Sequence, residues 1–178
     1  MKKSLLQYFL TLFIAAILLA GLTFGLQGIA NTNAQKQHLK TMQTLLPGSE
    51  SFTKEVYTGE DANIRAVHKG ETGFVIETAT QGYADEIVLL VGVSNEGTVT
   101  GLVVKDMHET IGLGANALTD WQFLAQFLKS DGDAQIGTNI DAITGATVTS
   151  KAIARCVNSA VSYVTGTDTD SGATSWGG

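Results

Sequence analysis

A single cysteine and a single proline in 178 residues set the first limits on what this chain can do. Cys156 alone closes no internal disulfide, and it cannot hold an iron–sulfur cluster or a zinc ion, which need several thiolate or imidazole ligands. Any redox chemistry therefore requires an organic cofactor. Histidine is scarce too, and His38 and His68 fall in no recognisable motif. Asp106, His108 and Glu109 complete no ligand set, so no metal site is expected. Basic residues are outnumbered, 11 against 17 acidic ones. Two of the 11, Lys2 and Lys3, precede a long apolar run, and without them nine basic residues face 17 acidic ones, a net charge of −8. An acidic domain with no basic cluster is a poor nucleic-acid binder. No nucleophile with an adjacent base stands out, which argues against a hydrolase.

Charge is missing altogether from Ser4 to Gln35. The centre of that run, Leu5 to Ile29, is mostly Leu, Ile, Ala and Phe, and about 20 such residues cross a bilayer core as a helix. A cleaved signal peptide ending at Gly28-Ile29-Ala30 is the competing reading, but its apolar region is ordinarily only about 7–15 residues long. The expectation is a retained anchor over residues 5–30 behind a short cytoplasmic tail, residues 1–4. With no cysteine nearby, a lipoprotein anchor is excluded. Lys36 and Lys40 nearly balance Lys2 and Lys3 across the anchor, so loop charge orients it weakly. The very short tail favours a single-pass protein of the cell (inner) membrane with its domain on the extracytoplasmic side.

The remaining roughly 140 residues suit one domain with one core. Gln35 to Leu46 reads as a helix within a linker, residues 31–48, with Leu39, Met42, Leu45 and Leu46 on one face and Pro47-Gly48 as its stop. Strands are expected at Phe52 to Val56, Ile64 to His68, Gly73 to Thr80, Glu86 to Val93 and Thr98 to Lys105. Turns fall at Gly82-Tyr83 and Asn95-Glu96-Gly97. Asp120 to Ser130 reads as a helix capped by Asp120 or Thr119, with Trp121, Leu124, Phe127 and Leu128 inward. Trp121 and Phe123 are expected to serve the core. A second helix spans Thr149 to Val164, where Ile153, Cys156, Val157, Ala160, Val161 and Val164 recur at helical spacing, and Cys156 reads as a small buried hydrophobe. Strands before helices predict an α+β domain over residues 49–166, an antiparallel sheet with packed helices, preceded by one transmembrane helix. Residues 167–178 read as a flexible polar tail.

The chemistry concentrates in Asp141-Ala142-Ile143-Thr144-Gly145-Ala146-Thr147-Val148-Thr149-Ser150, directly before that second helix. Hydroxyls and a glycine at a helix start describe an anion site, because the first N–H groups lack partners and the helix dipole favours negative charge there. Lys151 adds a counter-charge. The plain alternative is an ordinary N-cap, with Thr147 or Thr149 bonding a backbone N–H. Spacing alone leaves both open.

The run Asp141-x-x-Thr144-Gly145-Ala146-Thr147 resembles the Asp-x-x-Ser/Thr-Gly-Ala-Thr motif of the FMN-binding domain family. That domain is shared by the G subunit of the Rnf complex and the C subunit of the sodium-pumping NADH:quinone reductase. His108-Glu109-Thr110-Ile111-Gly112-Leu113-Gly114 is similar to the family's His-x-Glu-Thr-Pro-Gly-Leu-Gly loop, with Ile111 in place of the usual Pro. Gly82-Tyr83, Ile87 to Val93, Gly97 and Val99 to Lys105 resemble its central hairpin, although Tyr83-Ala84-Asp85 replaces Tyr-Gly-Gly. One anchor and a short domain match the Rnf G subunit better than the longer quinone-reductase subunit. The resemblance implies FMN joined through its phosphate to the Thr147 hydroxyl by a flavin transferase. It places Asp141, Thr144, Gly145, Ala146, Thr149 and Lys151, with Glu109, Thr110, Gly112 and Leu113, around the cofactor. It implies an electron-carrying subunit among other membrane and iron–sulfur subunits of an ion-translocating ferredoxin:NAD oxidoreductase. A stand-alone extracytoplasmic flavoprotein reductase and the C-type subunit are the competing assignments. A second copy of the motif, Asp168-Thr169-Asp170-Ser171-Gly172-Ala173-Thr174, has no helix after it, so Thr147 is the expected main site.

Overall fold

The computed structural model describes residues 33–107 and 119–167. The expected anchor, the run 108–114 with Glu109, Thr110, Gly112 and Leu113, and the tail with Thr174 lie outside the described residues. The chain divides into two compact units, Met1–Lys40 and Thr41–Gly178. Of the first, residues 33–40 are described, all of them helical. This helix, α1, runs through 33–45, and its last turn belongs to the second unit.

The second unit is built on five antiparallel strands in the order β1-β2-β3-β4-β5, a meander. They are β1 (Thr53–Glu55), β2 (Ile64–Lys69), β3 (Gly73–Gln81), β4 (Glu86–Ser94) and β5 (Val99–Met107). The α+β architecture expected from the order of strands and helices is what forms. Each expected strand is present, and both expected turns close: the Gly82 N–H donates to the Asp85 carbonyl at 2.8 Å, and the Gly97 N–H to the Ser94 carbonyl at 2.9 Å. In β4 both faces are covered. Ile87, Leu89, Val91 and Val93 join the larger core, while Leu90 packs with Val75, Met42, Leu45 and Leu46 in a smaller one. Gly92 lies opposite Gly101 in the β4–β5 ladder. A Cβ at Gly92 would collide with the Leu45 carbonyl oxygen, so the end of α1 rests directly on sheet backbone there.

The larger core is closed by α3 (Thr147–Thr165), whose Ile153, Cys156, Val157, Ala160 and Val161 are fully buried. The helix runs antiparallel to β3. Tyr163 meets Phe74 edge-on with ring centroids 5.6 Å apart, and Arg155 Nη2 donates to the Gln81 carbonyl at 3.3 Å. At the far end a Cβ on Gly97 would run into Thr165 Cγ2. The amino terminus of α3 therefore points to the end of the sheet where Gln81 pairs with Glu86 and Ile87 with Met107.

The segment expected as one helix from Asp120 to Ser130 is shorter and differently phased. Its helical part, α2, covers only Trp121–Ala125. The Asp120 carboxylate accepts the Gln122 and Phe123 N–H groups at 2.9 and 3.1 Å, as an N-cap does. After it, the N–H groups of Gln126, Phe127 and Leu128 bond three residues back, which tightens the winding. Phe123 and Phe127 consequently point inward, with ring centroids 5.4 Å apart. Trp121 is 73% exposed and Leu128 42%, so the inward placement expected of these two is corrected, whereas Phe127 is buried and Leu124 packs against the core as expected. Asp120→Ala is expected to cost about 1 kcal/mol, measured by urea unfolding, and a loss below a few tenths would contradict the cap.

Cys156 is fully buried, and burial pushes its thiol up to about 12, partly countered by the Thr78 hydroxyl. A folded-state pKa above the unfolded one favours the native protein fully below about pH 9 and loses that advantage as pH rises towards 12. Native Cys156 should therefore resist iodoacetamide at pH 8 and react once denatured, and Cys156→Ala should flatten the alkaline decline in stability. Alkylation of the native thiol at a free-thiol rate would contradict its burial.

Candidate functional site at the start of helix α3

The motif folds into a tight turn that delivers one residue onto a helix. The Ala146 N–H donates to the Ile143 carbonyl at 2.9 Å across Thr144 and Gly145. Gly145 has φ +80°, which fits the third position of a type II turn, where glycine is preferred because it carries no Cβ. Ala146 is the N-cap residue, with φ −127° and no side-chain capping bond, and its methyl joins the larger core. Thr147 is the first helical residue, and its side chain faces solvent. Neither Thr147 nor Thr149 is the cap, so the ordinary N-cap reading is overturned. The glycine turn brings the buried Ala146 to that position instead.

Among the described residues no side chain caps the first N–H groups of α3, and no acidic residue occupies the first turn. Thr149 and Ser150 are fully buried, and their hydroxyls have no hydrogen-bond partner among the described residues. Such unmet donors are costly unless something satisfies them. Lys151 follows one turn after Thr147 and is half-buried. Thr144, Gly145 and Asp141 are not buried. The Asp141 N–H donates to the Gln126 side-chain oxygen at 2.8 Å, so the turns after α2 hold the start of the motif. One residue escaped the sequence reading: Gln126, which nothing in the pattern marks, whereas Ser150 is the last hydroxyl of the run already singled out.

A cleft lies elsewhere. A space of about 520 Å³ opens beside Tyr57, Glu60, Asp61, Ser159 and Tyr163, near the carboxyl end of α3. Ser159 follows Thr147 by twelve residues, about 18 Å along the helix. Among the described residues the motif therefore forms an exposed helix start, not the lining of this cavity. No group of His, Cys, Asp or Glu among them could hold a metal ion.

Comparison with known proteins bears on this end of the helix. A family model described as an FMN-binding domain matches residues 82–162, which contain Thr147. The G subunit of the proton-translocating ferredoxin:NAD(+) oxidoreductase complex of Clostridium ljungdahlii is 33% identical over 165 residues, 88% of this chain and 87% of the relative. The chain belongs to this family of G subunits. Two further members match over less of their length. The G subunit of the Na(+)-translocating ferredoxin:NAD(+) oxidoreductase complex of Acetobacterium woodii is 38% identical over 117 residues, 60% of this chain and 53% of its own. The G subunit of the ion-translocating oxidoreductase complex of Methanosarcina acetivorans is 34% identical over 145 residues, 72% and 76% of the two chains.

The residues of this G-subunit chain fit the phosphate end of FMN. The uncapped N–H groups and the dipole of a 19-residue helix suit an anion. Gly145 carries no side chain at the turn, and the buried hydroxyls of Thr149 and Ser150 have no partner among the described residues.

Proposed function

We propose that the chain is a membrane-anchored, electron-carrying subunit of an ion-translocating ferredoxin:NAD oxidoreductase, with FMN joined through its phosphate to the Thr147 hydroxyl. The observation that carries the attachment is the exposed hydroxyl of Thr147 on the first turn of an uncapped helix. A phosphodiester there keeps one negative charge, which the helix start and Lys151 both favour. Bound FMN would supply the electron chemistry, and the protein would set its position, exposure and electrostatics.

The chain's own residues have separable tasks. Gly145 shapes the turn, Ala146 locks it into the core, and Thr147 offers the bond. Gln126 holds the Asp141 end of the motif through its side-chain oxygen. Thr144, Thr149 and Lys151 lie within about a turn of the attachment point along the chain, as hydrogen-bond donors or charge. Glu109, Thr110, Gly112 and Leu113 follow Met107, which pairs with Ile87 at the end of the sheet towards which α3 points. That supports placing them around the same cofactor. The uncharged run from Ser4 to Gln35 anchors the protein in the cell membrane with its FMN domain outside the cytoplasm, beside the membrane and iron–sulfur subunits of the complex. A flavin transferase completes its maturation.

The test uses the full chain produced together with its flavin transferase. After denaturation, yellow fluorescence should migrate with the polypeptide. A wild-type protein that releases all its flavin on denaturation would sink the covalent assignment.

A further inference from the structure

The carboxyl end of α3 borders a cleft that the flavin site does not use. Tyr57, Glu60, Asp61, Ser159, Tyr163 and Gly166 are among its lining, and its volume is about 520 Å³, within the roughly 300–1,000 Å³ of ligand pockets. Charge there has one sign. Glu60 and Asp61 face the space, and no Lys, Arg or His lines it among the described residues. A helix carries the negative pole of its dipole at this end, and no basic residue in the last turn of α3 offsets it. Glu55 accepts the Tyr163 phenol proton at 3.2 Å beside the cleft. Lys69 is engaged outside the lining, with its Nζ 3.9 Å from Glu55 Oε1 and 5.7 Å from the Phe74 ring centroid.

The walls hold more than carboxylates. Tyr57 and Tyr163 meet edge-on with ring centroids 5.9 Å apart. The Asp61 N–H donates to the Tyr57 phenol oxygen at 3.0 Å, which ties the acidic residue to the ring. Asp61 Oδ1 accepts the Asn63 N–H at 2.8 Å, which leaves Oδ2 for another donor. Glu60 forms no ion pair among the described residues. Ser159 is only 5% exposed. Its oxygen accepts from Asn63 Nδ2 at 3.2 Å, and among the described residues its own proton has no acceptor.

We propose that this cleft seats an arginine side chain from another subunit, an inference that rests on reading the chain as one member of a complex. A bare metal ion would find too few ligands, since no group of three or more His, Cys, Asp or Glu among the described residues could hold one. A guanidinium fits the same features. Its planar fork of donors matches carboxylates and helix-end carbonyls, and its face stacks on an aromatic ring. The Ser159 hydroxyl then serves a backbone carbonyl of the incoming segment. The cation does not come from the chain's own end, because residues 168–178 contain Asp168 and Asp170 and no Lys or Arg. A second copy is disfavoured as well, since the chain carries a net charge of −6 and like charges oppose pairing. The rim is open to an entering chain, with Val56 89% exposed and Gly166 and Thr167 exposed beside it. Ser159 lies about 18 Å along α3 from Thr147. A partner docked here grips one end of the helix and leaves the other free to exchange electrons.

Val56 lines the cleft, so Val56→p-benzoylphenylalanine places a photoreactive group at its rim. The full chain is produced with its flavin transferase and the other subunits, irradiated in native membranes, and its cross-links are mapped by mass spectrometry. The expected adduct lies on another subunit, within a few residues of an arginine. Changing that arginine to lysine should weaken the adduct about tenfold, and so should Glu60→Gln combined with Asp61→Asn in this chain. Asp61→Asn keeps the oxygen that accepts the Asn63 N–H, and the chain's flavin content should not change. An adduct on lipid, on a second copy or on a segment without arginine overturns the proposal, as does one that both charge changes leave intact. The partner's arginine-to-lysine change leaves this chain untouched, so it decides the matter even if the double variant fails to fold. A chain that co-purifies with the other subunits yet gives no adduct overturns the docking alone. A chain that co-purifies with none of them overturns the complex reading too.

Discussion

Thr147→Ala, produced with the flavin transferase, is expected to lose all flavin from tryptic peptide 130–151 while remaining folded. Thr147→Ser should keep a substantial share. The effect is all-or-none at that peptide because an alanine offers no oxygen to phosphorylate, whereas serine keeps a hydroxyl at the same position with less steric cover. Thr147 is exposed and makes no capping bond, so the change in stability should stay within about 0.5 kcal/mol. Circular dichroism and a thermal melt separate the two effects. An alanine variant that still carried flavin on this peptide would remove Thr147 from the account. An alanine variant that unfolded would show that the residue is structural, which its exposure argues against.

Asn158→Ala is expected to be the most damaging single substitution for the fold among those considered. Asn158 is buried on α3, and its side-chain oxygen accepts the Ala134 N–H at 3.1 Å while its nitrogen donates to the Ala134 carbonyl at 3.0 Å. One side chain thus satisfies both backbone groups of a residue that is itself fully buried. Truncation leaves a donor and an acceptor unmet, each costing about 1–3 kcal/mol. A total of about 3–5 kcal/mol, or roughly 10 °C in Tm for a domain of this size, should appear in a melt. A loss under about 1 kcal/mol would mean that water replaces the bonds and that the loop before the motif is not held by α3.

The strands and α3 were legible because their neighbours impose a simple period. α3 lies on the sheet with one face, so Ile153, Cys156, Val157, Ala160 and Val161 recur at helical spacing. β4 reads as a nearly continuous apolar run because α1 covers Leu90 on one side and α3 covers Leu89 and Val91 on the other. α2 was not legible. Its five residues give too little periodicity to fix a face, and the Asp120 cap with the tighter bonds after it turned Phe123 inward in place of Trp121.

The site was legible as a motif but not as geometry. Hydroxyls before a helix suggest side-chain caps, yet the left-handed turn at Gly145 makes Ala146 the cap and buries the hydroxyls of Thr149 and Ser150. The hold of Gln126 on Asp141 and that of Asn158 on Ala134 join positions 15 and 24 residues apart, which no local pattern encodes. The cleft beside Tyr57 and Tyr163 is equally non-local, since its walls come from the β1–β2 connection and the last turns of α3. There the Tyr163 phenol is raised above its ordinary pKa by burial first and then by the Glu55 carboxylate, to which it donates at 3.2 Å.

The central claim is that a helix start in this G-subunit family member holds flavin phosphate on one threonine. Fragmentation mass spectrometry of peptide 130–151 from wild-type protein, matured with its flavin transferase, tests it most directly. The account predicts an FMN phosphoester localised to Thr147. Unmodified Thr147 in fully matured protein, or the adduct on Thr144, Thr149 or Ser150 instead, would contradict it.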